Sequence, residues 1–197
     1  MNTFDSLPGG YRLAFEVDMK KDKKLVLWVN IAAMAGAAVM AVPMAFVVPL
    51  RPLFDMSNGF GPYFLRFGVL IAASWLYIVL HELTHGAAYK LFSKNKLNFG
   101  FNGLFAWCGC RDCYFPRNKY IVVALAPLVV WGVLLGILCV LCGAFWQEWF
   151  WVAYILQIAN VTGAAGDIYV SARLTRCPAD TLASDDGLGM KIYVPEK

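Results

Sequence analysis

The stretch FGVLIAASWLYIVLHELTHG, residues 67–86, decides how the rest of the chain is read. From Phe67 to Leu80 it carries no charge; its last six residues hold a glutamate between two histidines. Histidines four apart lie one turn apart on the same face of a helix. His81 and His85 can therefore reach one metal ion. Glu82, beside the first of them, can take a proton from a water on that metal. These are the only 2 histidines in the chain. The bland alternative is a chance match on a buried polar helix, and it leaves Glu82 unpaired in apolar surroundings.

Composition places this stretch in a bilayer. Of 197 residues, 60% are hydrophobic and 15% charged, with a mean hydropathy of +0.59. A soluble protein of this length could not cover that much apolar surface. The length fits one domain. The net charge of +4 is modest. No Lys/Arg run interleaved with aromatics points to nucleic acid, so nucleic-acid binding is not expected.

Outward from the motif, the pattern predicts an all-α membrane protein of about four transmembrane helices. The motif span runs from about Phe64 to Leu91. Before it, residues 25–50 hold no charge over 26 positions, enough to cross a bilayer with some tilt. Ala32 and Gly36 have the small-xxx-small spacing of close helix packing. Pro43 is expected to kink this helix and Pro49 to end it. A third span covers about Tyr120 to Leu141, with Pro127 in its first half, and a fourth about Trp149 to Ala172. Flanking them, residues 1–24 read as a cytosolic flank with no removable signal peptide. The four-helix domain is then 25–172, and 173–197 a loosely ordered polar tail.

Between the second and third spans the pattern changes. Leu97, Phe99 and Phe101 alternate with polar or small residues, as in a half-buried strand. Asn102-Gly103 is a good turn pair, so a short β-hairpin at the membrane surface is expected. Within it, Cys108, Cys110 and Cys113 lack a fourth ligand of the usual metal-site spacing. Three reduced thiols are the default reading.

Charge placement predicts the topology. The first 24 residues carry 5 Lys/Arg, the 90–119 segment 6 and the tail 4, against only Arg51 and Arg66 in the opposite loops. The 90–119 segment and both termini are therefore expected in the cytosol, on an integral multi-pass membrane protein.

The fourth span supplies a third candidate ligand. Gln157, Asn160, Ala164, Asp167 and Ser171 make one polar or small stripe, which as plain interhelical hydrogen bonding explains Asp167 poorly. Spans two and four run in the same direction. His85 lies five residues before Lys90 and Asp167 six before Arg173, so both sit about 8–9 Å from their cytosolic flanks at ~1.5 Å per residue. His81, His85 and Asp167 with a water in the fourth position make an open, catalytic Zn2+ arrangement.

HELTHG, the Phe/Gly-rich hairpin, ALAPL at 124–128 and GAAGDIYV at 163–170 together resemble a small bacterial membrane family of zincin peptidases. More distantly, the layout is similar to the site-2 proteases, which cleave transmembrane segments. The resemblance implies His81, His85 and Asp167 as zinc ligands and Glu82 as base. It also implies that Asn160 helps hold the substrate carbonyl. The chain differs from the site-2 pattern in placing Gly166 before Asp167 rather than a glycine after it.

Three functions compete. The first is a zinc endopeptidase acting on a membrane protein or peptide near the cytosolic face, with Glu82 as general base. The second is a zinc hydrolase of a non-peptide bond, such as one in a lipid or prenylated substrate. The third is a non-catalytic metal-binding membrane scaffold or transporter. Glu82 argues against the third, since metal binding alone needs only the ligands. The bilayer is a partner in every case; the pattern does not set an oligomeric state.

Overall fold

The computed structural model describes residues 3–18, 21–101, 106–187 and 189–196. In chain order these form β1 (Tyr11–Val17), α1 (Lys23–Val47), a 3-10 turn at Arg51–Phe54, α2 (Phe60–Phe92), β2 (Leu97–Phe101) and β3 (Ala106–Pro116). There follow α3 (Arg117–Phe145), α4 (Gln147–Gly163), α5 (Ala165–Thr175), β4 (Leu182–Asp185) and β5 (Met190–Pro195).

Helices α1, α2 and α3 have 25, 33 and 29 residues and are long and apolar enough to cross a membrane. At ~1.5 Å per residue they span about 37–50 Å, more than the ~30 Å hydrocarbon core. Their outward faces are apolar: Met34, Phe46 and Val140 are each more than 70% exposed, which suits lipid rather than water. Asp22 caps α1 by accepting the Leu25 N–H on Oδ1 at 2.9 Å.

The expected fourth span is not one helix. It is α4 of 17 residues and α5 of 11, broken at Ala164 (φ −79°, ψ 8°). The break falls in the small-residue run Gly163-Ala164-Ala165-Gly166, where no bulky side chain packs to hold the helix straight. It places Asp167 in the first turn of α5. There the helix dipole favours an anion.

The chain divides into two compact units, and α1, α2 and α3 each contribute to both. One comprises Asn30–Leu80 and Pro127–Ala165. Its core gathers Phe150, Trp151, Leu53, Cys139 and Cys142. Interhelical hydrogen bonds add to it: Tyr154 Oη donates to the Met40 carbonyl at 3.0 Å and Trp151 Nε1 to that of Pro49 at 3.0 Å. Gln157 Nε2 donates to the Gly132 carbonyl at 3.3 Å, and Gly36 lies opposite Thr162.

The other unit comprises Met1–Val29, His81–Ala126 and Gly166–Lys197. It holds a five-stranded antiparallel sheet in the order β1-β5-β4-β3-β2. The hairpin strands β2 and β3 are as expected; Asn102-Gly103 lies outside the described residues. The flank and the tail were not expected to be strands. The tail pairs because it carries its own apolar face: Leu182, Ala183 and Ile192 are fully buried. Tyr89, Phe115, Tyr120, Val123, Leu174 and Ile192 form the centre of this unit's core. Arg173 of α5 stacks over the Phe15 ring of β1 at 4.7 Å. Gly86, next to His85, admits the Phe99 ring: a Cβ there would lie 2.7 Å from it. Cys110 and Cys113 are joined as a disulfide, contrary to the expected three thiols, while Cys108 is free. The pairing follows from a bulge between Cys110 and Phe115, where Asp112 at φ 57° turns the chain back and brings the two Cα atoms to 5.6 Å.

Candidate metal centre

His81 and His85 project from one face of α2, their rings 4.9 Å apart and nearly perpendicular. Asp167, from α5, reaches them from a separate helix. Its Oδ2 lies 3.6 Å from His81 Nε2 and 3.6 Å from His85 Nε2. One ligand atom from each of the three lies within 4.8 Å of the others. Two ligands ~2.0–2.1 Å from a tetrahedral zinc stand about 3.3–3.4 Å apart, close to both aspartate–histidine spacings. Two imidazoles and one carboxylate are also the ligand types zinc takes when it keeps an open position. The Asp167 side chain is 27% exposed against 11% for either histidine, so the group is open on the aspartate's side.

His85 is oriented from behind. Its Nδ1 lies 3.0 Å from the Val123 carbonyl on α3. A carbonyl can only accept, so Nδ1 carries a proton, and Nε2 is the ring nitrogen left facing Asp167. Glu82 is half-buried and in electrostatic reach of His81, His85 and Asp167. It is not one of the three convergent residues, which suits a base better than a ligand.

One turn beyond His85 lies a second polar cluster that the sequence reading missed. Tyr89 Oη donates to Asp185 Oδ2 at 2.9 Å, Tyr120 Oη to the same oxygen at 2.5 Å, and the Gly187 N–H to Oδ1 at 2.7 Å. Asp185 is on β4, opposite Cys110 of β3. Burial holds its carboxyl above the ordinary carboxylate range, against the hydrogen bonds from Tyr120, Gly187 and Tyr89. Nothing in local spacing marks Asp185, which is 96 residues from Tyr89 and 65 from Tyr120. Cys108 is also near: burial, with the charges of Glu82 and Asp185, pushes its thiol up to about 12.

Asn160 belongs to the other compact unit and is fully buried. Its Oδ1 accepts from Tyr77 Oη at 2.9 Å and its Nδ2 donates to the Leu128 carbonyl at 3.2 Å.

Among known proteins, a family model described as "Putative zincin peptidase" matches residues 74–182, which contain His81, Glu82, His85 and Asp167. A Pyrococcus woesei protein named "Uncharacterized 24.7 kDa protein in gap 5'region" is 30% identical over 125 residues, 59% of this chain and 50% of that protein. The chain thus spans about half the length of that curated relative. No solved structure matches.

Proposed function

From the premise that this chain belongs to the zincin peptidase family, we propose that it is a membrane-embedded zinc endopeptidase cleaving membrane proteins or peptides near the cytosolic face. The observation that carries the reading is the placement of Asp167 Oδ2 equally far, 3.6 Å, from both histidine Nε2 atoms. Zinc, when bound, supplies a Lewis acid that polarises a carbonyl and makes water a nucleophile near neutral pH. His81, His85 and Asp167 would hold it. Glu82 takes the proton of the attacking water and passes it to the departing amine, so one carboxylate serves as base and then as acid. The Val123 carbonyl keeps the His85 ring in the ligating orientation. Asn160, with both ends of its amide engaged, has a packing role in this reading.

The charge asymmetry supports placing the 90–119 segment and both termini in the cytosol, on a multi-pass protein. His85 then lies within a few residues of that face.

The test compares wild type with Glu82→Gln, which keeps size and hydrogen bonding but removes the base. The variant should bind zinc as wild type does and lose turnover by ~10²-fold or more. Peptide products from the membrane fraction should carry new termini only with the wild-type chain. A change confined to lipids would replace the endopeptidase with a non-peptide hydrolase. Full cellular function of the variant would favour a scaffold.

A further inference from the structure

Helix α3 has a proline inside its run, Pro127. In an α-helix the N–H of each residue bonds the carbonyl four residues earlier. Proline has no N–H and its ring pushes that carbonyl aside. The carbonyl concerned here is that of Val123, and it is the one His85 Nδ1 meets at 3.0 Å. From this coincidence we infer that Pro127 is a positioning residue for the metal centre. By withholding its N–H it leaves the Val123 carbonyl open to His85, and so holds the imidazole as the Nδ1–H tautomer with Nε2 facing Asp167. The inference deepens the proposed zinc-site reading and rests on it.

Both groups are buried. Val123 is 1% exposed and the Pro127 side chain is fully buried, so water does not reach the oxygen that the proline frees. Within a membrane-spanning helix such an oxygen is costly unless a side chain satisfies it. His85 is 8% exposed, and its Nδ1–H needs an acceptor for the same reason. Pairing them satisfies both. An N–H at position 127 would draw the carbonyl back along the helix axis, and His85 would have to compete for it. The ring could then turn or adopt the other tautomer, and its ligating nitrogen would no longer be fixed.

A helix proline can also act merely by bending its helix. Pro43 of α1, a second proline inside a membrane-length helix, provides the control. The experiment uses the full chain in detergent micelles. With only 2 histidines present, long-range proton–nitrogen spectra resolve both imidazoles, and His85→Gln assigns them. In metal-free wild type, His85 Nδ1 should carry a proton locked in a hydrogen bond to the Val123 carbonyl. Pro127→Ala, which restores a donor, should lose that lock and weaken zinc binding about 10- to 100-fold in chelator competition, the range seen when outer partners of a ligand are removed. Its melting temperature should be no lower, since alanine suits a helix interior better than proline. Pro43→Ala should leave both readouts unchanged. Pro127→Gly, which also restores the donor, serves if the alanine variant misfolds.

A Pro127→Ala protein with unchanged tautomer and zinc affinity would overturn the inference. So would an Nε2–H tautomer in wild-type His85, or equal losses in Pro43→Ala. A wild type that binds no zinc, yet shows a His85 tautomer dependent on Pro127, would overturn the zinc reading and leave the positioning role standing.

Discussion

Removing the Asp185 carboxylate tests whether the polar cluster beyond His85 holds its part of the fold together. In Asp185→Ala the hydroxyls of Tyr89 and Tyr120 and the Gly187 N–H all lose their acceptor. The two tyrosines are 1% and 5% exposed, so water does not replace it. Each buried donor left unmade costs ~1–3 kcal/mol. Relief of the carboxylate's own desolvation offsets part of that, for a net loss of about 3–5 kcal/mol. For a chain of this length 1 kcal/mol moves the melting point by roughly 2–4 °C, so the variant should melt about 6–20 °C lower. Asp185→Asn keeps the shape and one acceptor and should lose less than ~2 kcal/mol. The assay is thermal unfolding of metal-free protein in detergent, followed by intrinsic tryptophan fluorescence across pH. Burial raises the folded-state pKa of Asp185. Its contribution is therefore fully present below the ordinary carboxylate pKa of ~3.9 and is lost as pH rises through the folded-state value. The margin of wild type over Asp185→Asn should accordingly shrink from acid toward neutral pH. A Tm for Asp185→Ala equal to wild type, or a margin that grows with pH, would refute the reasoning.

Other outcomes follow from the same contacts. Purified protein should hold about one equivalent of zinc, and His85→Ala or Asp167→Ala should lose most of it; full retention by the His81→Ala/His85→Ala double variant, read by metal analysis, would remove the site. Cys177 is a free, partly exposed thiol in the tail, so an impermeant reagent should miss it in intact cells and label it after permeabilisation; ready labelling of intact cells would invert the topology. Gly86→Val drives a side chain into the Phe99 ring and should cost ~1–3 kcal/mol in a melt. Phe99→Ala in the same chain should recover at least half of that loss, and simple additivity of the two changes would show that the contact does not matter.

The convergence of His81, His85 and Asp167 was legible because its pattern is written at short range. His81 and His85 share a helix face by spacing alone. Asp167 could be matched to them because charged flanks mark helix depth. The break between α4 and α5 was hidden by the same regularity. Gln157, Asn160, Ala164, Asp167 and Ser171 keep one helical period straight through Ala164, and only the flanking Gly163 and Gly166 hint at the interruption. The sheet was half legible. The strands β2 and β3 are neighbours in sequence, but β4 has four residues and β5 six, too short for periodicity to stand out. Their partners lie far away: Tyr11 pairs with Pro195 and Phe115 with Ala183. Asp185 escaped notice for that reason, since only the folded sheet carries it to Tyr89 and Tyr120.

The pairing of β1 with β5 also imposes a timetable on the ribosome. Roughly 170 residues separate Val17 from its partner Met190, so at about 5–20 residues per second the first strand waits on the order of 10–35 s for its neighbour. During that wait three membrane-length helices are made, while β1 offers an unpaired edge to any other extended chain. Asp167 is made late as well. A nascent chain therefore carries the HELTHG helix long before Asp167 can join His81 and His85.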